Sequence, residues 1–281
     1  MDINKAVITC AGRNQRSLPL QTLVDRNGQP NAALAIILEE AIAAGVDDIA
    51  VIIDPTDREA YSEAAGDLRS RVTFIDQIEA RGYGHAISCA KEFVDNQPFL
   101  LMVGDHLYVS GGTVSCASQL VECAQREGCA VSAVMSTHES KLPYYGAIGG
   151  HLVGGLKGLY EIEQVLEKPT PTQAEQHLIV PGLRAGHYLC FFGMHVLTPQ
   201  IMELLSQEVA KAGDRRVHLS DVLNGVARRE RYLAFELSGK RYDIGEKYGL
   251  LTAQLALALA GRDREVVLSN LVELLAHQHL A

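Results

Sequence analysis

The sequence predicts an α/β fold, with a mixed, mostly parallel central sheet flanked by helices and a helical extension at the C-terminus. Three observations carry this. Short apolar runs alternate with helix-period segments over residues 6–135, the pattern of strands buried on both faces and joined by crossover helices. Residues 140–198 turn rich in Gly, Pro and Tyr, which suggests added antiparallel strands. Helical spacing then returns from residue 199 onward.

Ala6–Cys10 (AVITC) reads as the first strand. Ala32–Ala44 reads as a helix, because Leu34, Ile37, Leu38, Ala41 and Ile42 recur at three- and four-residue spacing. Asp48–Ile53 is the next strand, Pro55–Ala65 a helix and Val72–Ile75 a third strand. His85–Val94 reads as a helix before the strongly apolar strand Pro98–Val103. Thr113–Glu127 follows as a helix and Ala130–Met135 as a strand. Tyr145–Ile148 and Leu159–Val165 are short extended runs, and Pro199–Lys211 and Leu219–Ala227 are helices. Tyr232–Leu237 is a strand and Glu246–Ala260 a helix. The tail, Asp263–Leu280, is an amphipathic helix with Val267, Leu268, Leu271, Leu274 and Leu275 on one side, suited to core packing or to contact within a homo-oligomer.

Composition narrows the function. Hydrophobic residues make up 47% and charged residues 21% of the 281, enough apolar material to exclude disorder. Apolar stretches such as Ala32–Leu38 fall far short of the roughly 20 residues of a membrane span. The start of the chain has no signal-peptide pattern, so a cytoplasmic protein is expected. A formal net charge of −9 argues against a nucleic-acid polymer as partner and leaves room for a small phosphate ligand. Six cysteines without a CxxC pair read as buried thiols in a reducing compartment.

Ligands of open parallel sheets gather at the carboxyl ends of the strands, so polar residues just after predicted strands are the candidates. After the first strand come Ala11 and Gly12, small enough for close backbone approach, then Arg13 and Arg16, suited to phosphate or simply solvated. Gln77 precedes Arg81-Gly82-Tyr83-Gly84-His85, where glycines let the backbone meet a base or phosphate. Asp105, in Val103-Gly104-Asp105-His106, is placed either to hold Mg²⁺ against a triphosphate or to cap a turn. His106 reads as a hydrogen-bonding or packing histidine. Glu167-Lys168-Pro169 offers a carboxylate for sugar hydroxyls and a cation for a sugar phosphate, or a surface charge pair. Asp243 is a second carboxylate beside a helix start, a metal ligand or a cap.

The order of these segments is more specific than any one of them. GYGHAISCAKEFVDNQPFLLMVGDHLYV, YYGAIGG, LEKPTPTQAE, FFGMHVLTPQIMELL, VHLSDVL and FELSGKRYDIGEKYGLLTA run in succession. Across about residues 4–260 the chain resembles the sugar nucleotidyltransferases, most closely those that act on UTP and glucose 1-phosphate. The resemblance implies a Rossmann-like fold of the nucleotide-diphospho-sugar transferase type. It implies a nucleotidyltransferase domain over 1–260, with a nucleotide-binding part to about 135 and a sugar-binding part beyond, and a C-terminal helix over 261–281. The implied reaction makes UDP-glucose and pyrophosphate with Mg²⁺. Carried over by position, Ala11, Gly12, Gln77 and Gly82 meet the uracil, and Asp105 and Asp243 bind the metal. Gly146, Glu167 and Gly193 line the glucose site, and Lys168 contacts the glucose-linked phosphate. The first loop departs from the family's Gly-x-Gly-Thr-Arg pattern. Asn14 and Gln15 replace the second glycine and the threonine, Arg16 falls on the arginine, and no lysine occurs between Lys5 and Lys91. Arg13 is the expected substitute for the missing phosphate-gripping lysine.

Overall fold

A computed structural model of the chain describes residues 1–154 and 157–278. It opens with β1 (Lys5–Thr9), a hairpin of β2 (Thr22–Val24) and β3 (Pro30–Ala32), and α1 (Ala33–Ala43). Next come β4 (Asp48–Ile53), α2 (Arg58–Ala64), β5 (Val72–Asp76), the short helices α3 (Tyr83–Ser88) and α4 (Lys91–Val94), and β6 (Phe99–Val103). β7 (His106–Ser110), α5 (Cys116–Glu127) and β8 (Ala130–His138) follow. Then come β9 (Gly146–Leu152), β10 (Leu159–Glu167), α6 (Pro171–His177), β11 (His187–Leu197), α7 (Gln200–Ala212) and α8 (Leu219–Ala227). The chain continues through β12 (Tyr232–Glu236), β13 (Gly239–Asp243), α9 (Gly249–Leu259) and α10 (Arg264–Gln278).

Nine strands form one sheet in the order β5-β4-β1-β6-β11-β8-β12-β10-β9. β1, β4, β5 and β6 pair in parallel, as do β8 and β12, while β10 and β11 run against the rest. This is the mixed, mostly parallel sheet expected from the sequence, and it runs across position 135 without interruption.

Alternation along each central strand divides the core between the two faces. Ala6 and Ile8 of β1, Ile49 and Val51 of β4, and Leu100 and Met102 of β6 pack toward α1 and α5. Val7, Ala50, Ile52, Phe99 and Leu101 pack toward α7 and α8 on the other side. Burial of each large side chain contributes about 1.5–3 kcal/mol, and both faces are covered, so the strands read as unbroken apolar runs.

The structure departs from the sequence reading in several helices. The expected helix over His85–Val94 is split at Ala90 (φ −84, ψ 6). The helix expected from Thr113 begins at Cys116, because the Ser115 side chain accepts from Ser118 N–H and caps it. In the tail helix Val267, Leu268 and Leu271 are half-buried, but Leu274 and Leu275 are exposed, so core packing is not its role. Positions 279–280 of the expected tail helix lie outside the described residues.

The C-terminal helices are fastened to the β2–β3 hairpin. The Gln254 amide accepts from Val24 N–H at 2.8 Å and donates to Val24 O at 3.0 Å, as a neighbouring strand would. Arg262 N–H donates to Arg26 O at 2.9 Å. All six cysteines are free thiols. Among the described residues no helix is long and apolar enough to cross a membrane.

Candidate active site

The site is assembled at the carboxyl ends of β1, β4, β5 and β6. Beyond β1, Ala11 is buried, and Gln15 and Arg16 donate their amides to Gly12 O, folding the first loop into a tight turn. Arg13 is exposed on that turn. The Arg16 guanidinium turns away to Asp54 (2.8 Å) and Asp57 (3.3 Å) and donates to Thr56 Oγ1 at 3.1 Å. Hydrogen bonds from Thr56, and then the Arg16 charge, hold the Asp54 carboxyl below its ordinary range. Arg16 is therefore engaged beside β4, not with the carboxylates of the site.

Gln77 follows β5 and is buried. Its amide donates to Gly82 O at 3.3 Å and meets His85 Nδ1 at 2.9 Å, bringing Gln77 and Gly82 together as the sequence suggested. Gly82 has φ +100, and a Cβ there would press on the backbone of Val217, so glycine serves both conformation and approach.

Asp105 lies on the turn between β6 and β7. Gly104 donates to Thr9 O at 3.0 Å, and a Cβ on it would collide with Cys10 Sγ. β13 pairs antiparallel with β7, setting Asp243 opposite His106, and Ile244 N–H donates to Asp105 O at 2.9 Å. Ligand atoms of Asp105, His106 and Asp243 all lie within 4.8 Å of one another, a grouping of three such residues found nowhere else among the described residues. The two carboxylates respond in opposite directions. Burial is the largest single influence on Asp105 and opposes its ionisation, yet the hydrogen bond with His106 Nδ1 at 2.8 Å, the His106 charge and a backbone hydrogen bond together hold the carboxyl below its ordinary range. Burial, with Asp105 as a neighbouring like charge, pushes Asp243 up. An oxygen-rich pair with an adjacent imidazole suits a hard divalent cation, which would relieve that repulsion.

Of the sugar-side candidates, Gly146, Glu167 and Gly193 meet in a cavity of about 140 Å³ that His106 also lines, and Lys168 is not part of its wall. The β9–β10 register places Gly146 directly opposite Glu167. The Ser220 hydroxyl donates to the Glu167 carboxylate and orients it. Gly193 has φ +88, its carbonyl accepts from Tyr108 OH at 3.0 Å, and a Cβ there would press on Val103. Lys168 is exposed, with left-handed φ +47, and its N–H donates to Tyr145 O at 3.2 Å.

Behind this wall, buried Arg241 stacks 3.7 Å from the ring centroid of Tyr145. The Tyr145 hydroxyl donates to Glu246 at 2.9 Å, and Lys141 pairs with Glu246 at 3.0 Å. Sequence reasoning missed Tyr83, Tyr145 and Ser220 as cavity residues, although each sits inside a segment that it quoted.

The nucleotidyl transferase family model matches residues 19–259, a span that begins after the first loop. A UTP–glucose-1-phosphate uridylyltransferase of Streptococcus pneumoniae is 30% identical, covering 92% of this chain and 91% of that one. A crystal structure of UDP-glucose pyrophosphorylase complexed with UDP-glucose superposes with a TM-score of 0.74 at 26% identity, over 91% of this chain and 98% of that one. A UTP-bound enzyme from Acinetobacter baumannii shares the fold, with a TM-score of 0.71 at 21% identity over 96% and 99% of the two chains.

Proposed function

The chain belongs to the nucleotidyl transferase family, and on that premise we propose that it joins UTP to glucose 1-phosphate, giving UDP-glucose and pyrophosphate. The observation that carries the reading is the convergence of Asp105 and Asp243 beside the cavity that holds Gly146, Glu167 and Gly193. An oxygen of the sugar phosphate forms a bond to the α-phosphorus of UTP, and the bond from that phosphorus to the bridging oxygen of pyrophosphate breaks. The chemistry calls for no protein nucleophile, only alignment and charge neutralisation. Ala11, Gly12, Gln77 and Gly82 hold the base through backbone and amide groups. Glu167 binds hexose hydroxyls from a position fixed by Ser220, in the cavity that Gly146 and Gly193 also line. Lys168 offers its ammonium to the hexose phosphate. Asp105 and Asp243 would hold Mg²⁺, which when bound neutralises charge on the phosphates. Exposed Arg13 offers a guanidinium on the first loop in place of the missing lysine.

Purified chain given UTP, glucose 1-phosphate and Mg²⁺ is expected to release pyrophosphate and UDP-glucose. A panel of four nucleoside triphosphates and several hexose 1-phosphates should rank that pair first; another preferred pair would reassign the specificity. A second reading, UDP-sugar binding without turnover, is favoured by one observation: Arg16 is engaged by Asp54 and Asp57. Tight UDP-glucose binding with no product would select it. We also propose a homo-oligomer, supported by exposed Leu251, Val272 and Leu274 on α9 and α10, and a cytoplasmic setting, supported by the free thiols.

A further inference from the structure

Tyr83 sits between two glycines at the first turn of α3. Gly82 before it has a left-handed backbone, and Gly84 after it donates its N–H to Val217 O at 3.0 Å, so the tyrosine is held by its neighbours on both sides. Its side chain lines the same cavity as Gly146, Glu167 and Gly193. The phenol oxygen is shut off from bulk solvent and has no hydrogen-bond partner in the protein. Thr9, at the end of β1, is close enough to influence it, but no bond is made. The charges that act on the phenol are the carboxylates of Asp105 and Glu167. One belongs to the metal side of the cavity and the other to the hexose side.

A buried hydroxyl without a partner is costly, and in a native site it calls for an explanation such as a bound water, ion or ligand. Burial beside two carboxylates keeps this phenol protonated, and hence a donor. An acceptor reaching it from the cavity shares that space with His106 and Glu167, and in the proposed reaction the ester joining ring and phosphate is the acceptor that would fill it. We infer that the Tyr83 hydroxyl is a binding group for the hexose 1-phosphate, donating a hydrogen bond at the junction of sugar and phosphate. This deepens the proposed function and rests on it for the identity of the substrate.

The test is Tyr83→Phe in the full chain, which removes one oxygen and leaves the ring packing. The expected result is a rise of about tenfold or more in KM for glucose 1-phosphate, with KM for UTP and the Tm unchanged. Constants for glucose 1-phosphate within twofold of the parent would overturn the inference. So would a lower Tm without a change in KM, since the hydroxyl would then be bonding Thr9 as a structural group. Calorimetry separates this inference from the reaction it rests on. If the parent chain binds UDP-glucose but makes none, the proposed activity fails. The Tyr83 contact is still read from weakened UDP-glucose binding by the variant against unchanged UMP binding, and equal affinities for UDP-glucose would end it.

Discussion

Asp105, on the turn after β6, and Asp243, at the end of β13, share one space, so each is worth more to a bound cation than to the fold. Asp105→Asn keeps the side-chain size and removes the charge. It should lower kcat/KM by about a hundredfold or more while the thermal melt stays near that of the parent. Undiminished pyrophosphate release in that variant would remove the metal role. His195, on β11 in the cavity wall, is a different kind of residue. The Ser132 hydroxyl bridges its Nδ1 and the Tyr232 hydroxyl, and burial lowers its pKa to about 3. The folded protein therefore keeps His195 neutral while the unfolded chain protonates it near pH 6.5. This contribution to stability is complete above about pH 6.5 and is lost as the pH falls toward 3, by up to about 1.4 kcal/mol per pH unit. Urea unfolding at pH 7 and pH 5 should show a smaller loss for His195→Gln than for the parent; equal losses would refute it. Asp105 stood out as a candidate in the sequence because it follows an apolar strand beside a glycine, and Asp243 because it stands beside a helix start. The engagement of Arg16 was not legible, since Asp54 and Asp57 reach it only once β4 lies beside β1.

At the scale of elements, periodicity located those whose burial is local. The helix read over Leu219–Ala227 and the strand read over Asp48–Ile53 appear with those bounds. β7 escaped notice because its five residues gain strand character from β13, far along the chain. β11 was seen only as part of a Gly- and Tyr-rich region. Its sequence, HYLCFFGMHVL, is buried on both faces between β6 and β8 and shows no alternation. The break between α3 and α4 contains neither Gly nor Pro, so helical spacing reads straight through it. The start of α9 offers a sharp test of the packing around Asp243. A Cβ on Gly249 would collide with the Asp243 carbonyl oxygen. Gly249→Ala should cost about 1–3 kcal/mol in urea unfolding and lower activity beyond that loss, because the strand carrying Asp243 must shift. A variant with parental stability would show that the helix start yields instead.

For the whole molecule, the nine-stranded sheet carries Gly146, Glu167 and Gly193, the separate β7–β13 pair carries His106 and Asp243, and the cavity lies where the parallel strand β6 meets the antiparallel strand β11. Apolar residues left exposed on α9 and α10 are the surface most ready for a second copy. A chain ending at Ala260 should fall in mass by light scattering to that of a single protomer; an unchanged mass would place the contact elsewhere. The bonds of Gln254 and Arg262 to the hairpin after the first loop carry a further consequence. Warming or a protease that frees the tail should also loosen the β2–β3 hairpin that follows the first loop, and a nucleotide bound against that loop should slow digestion of the tail.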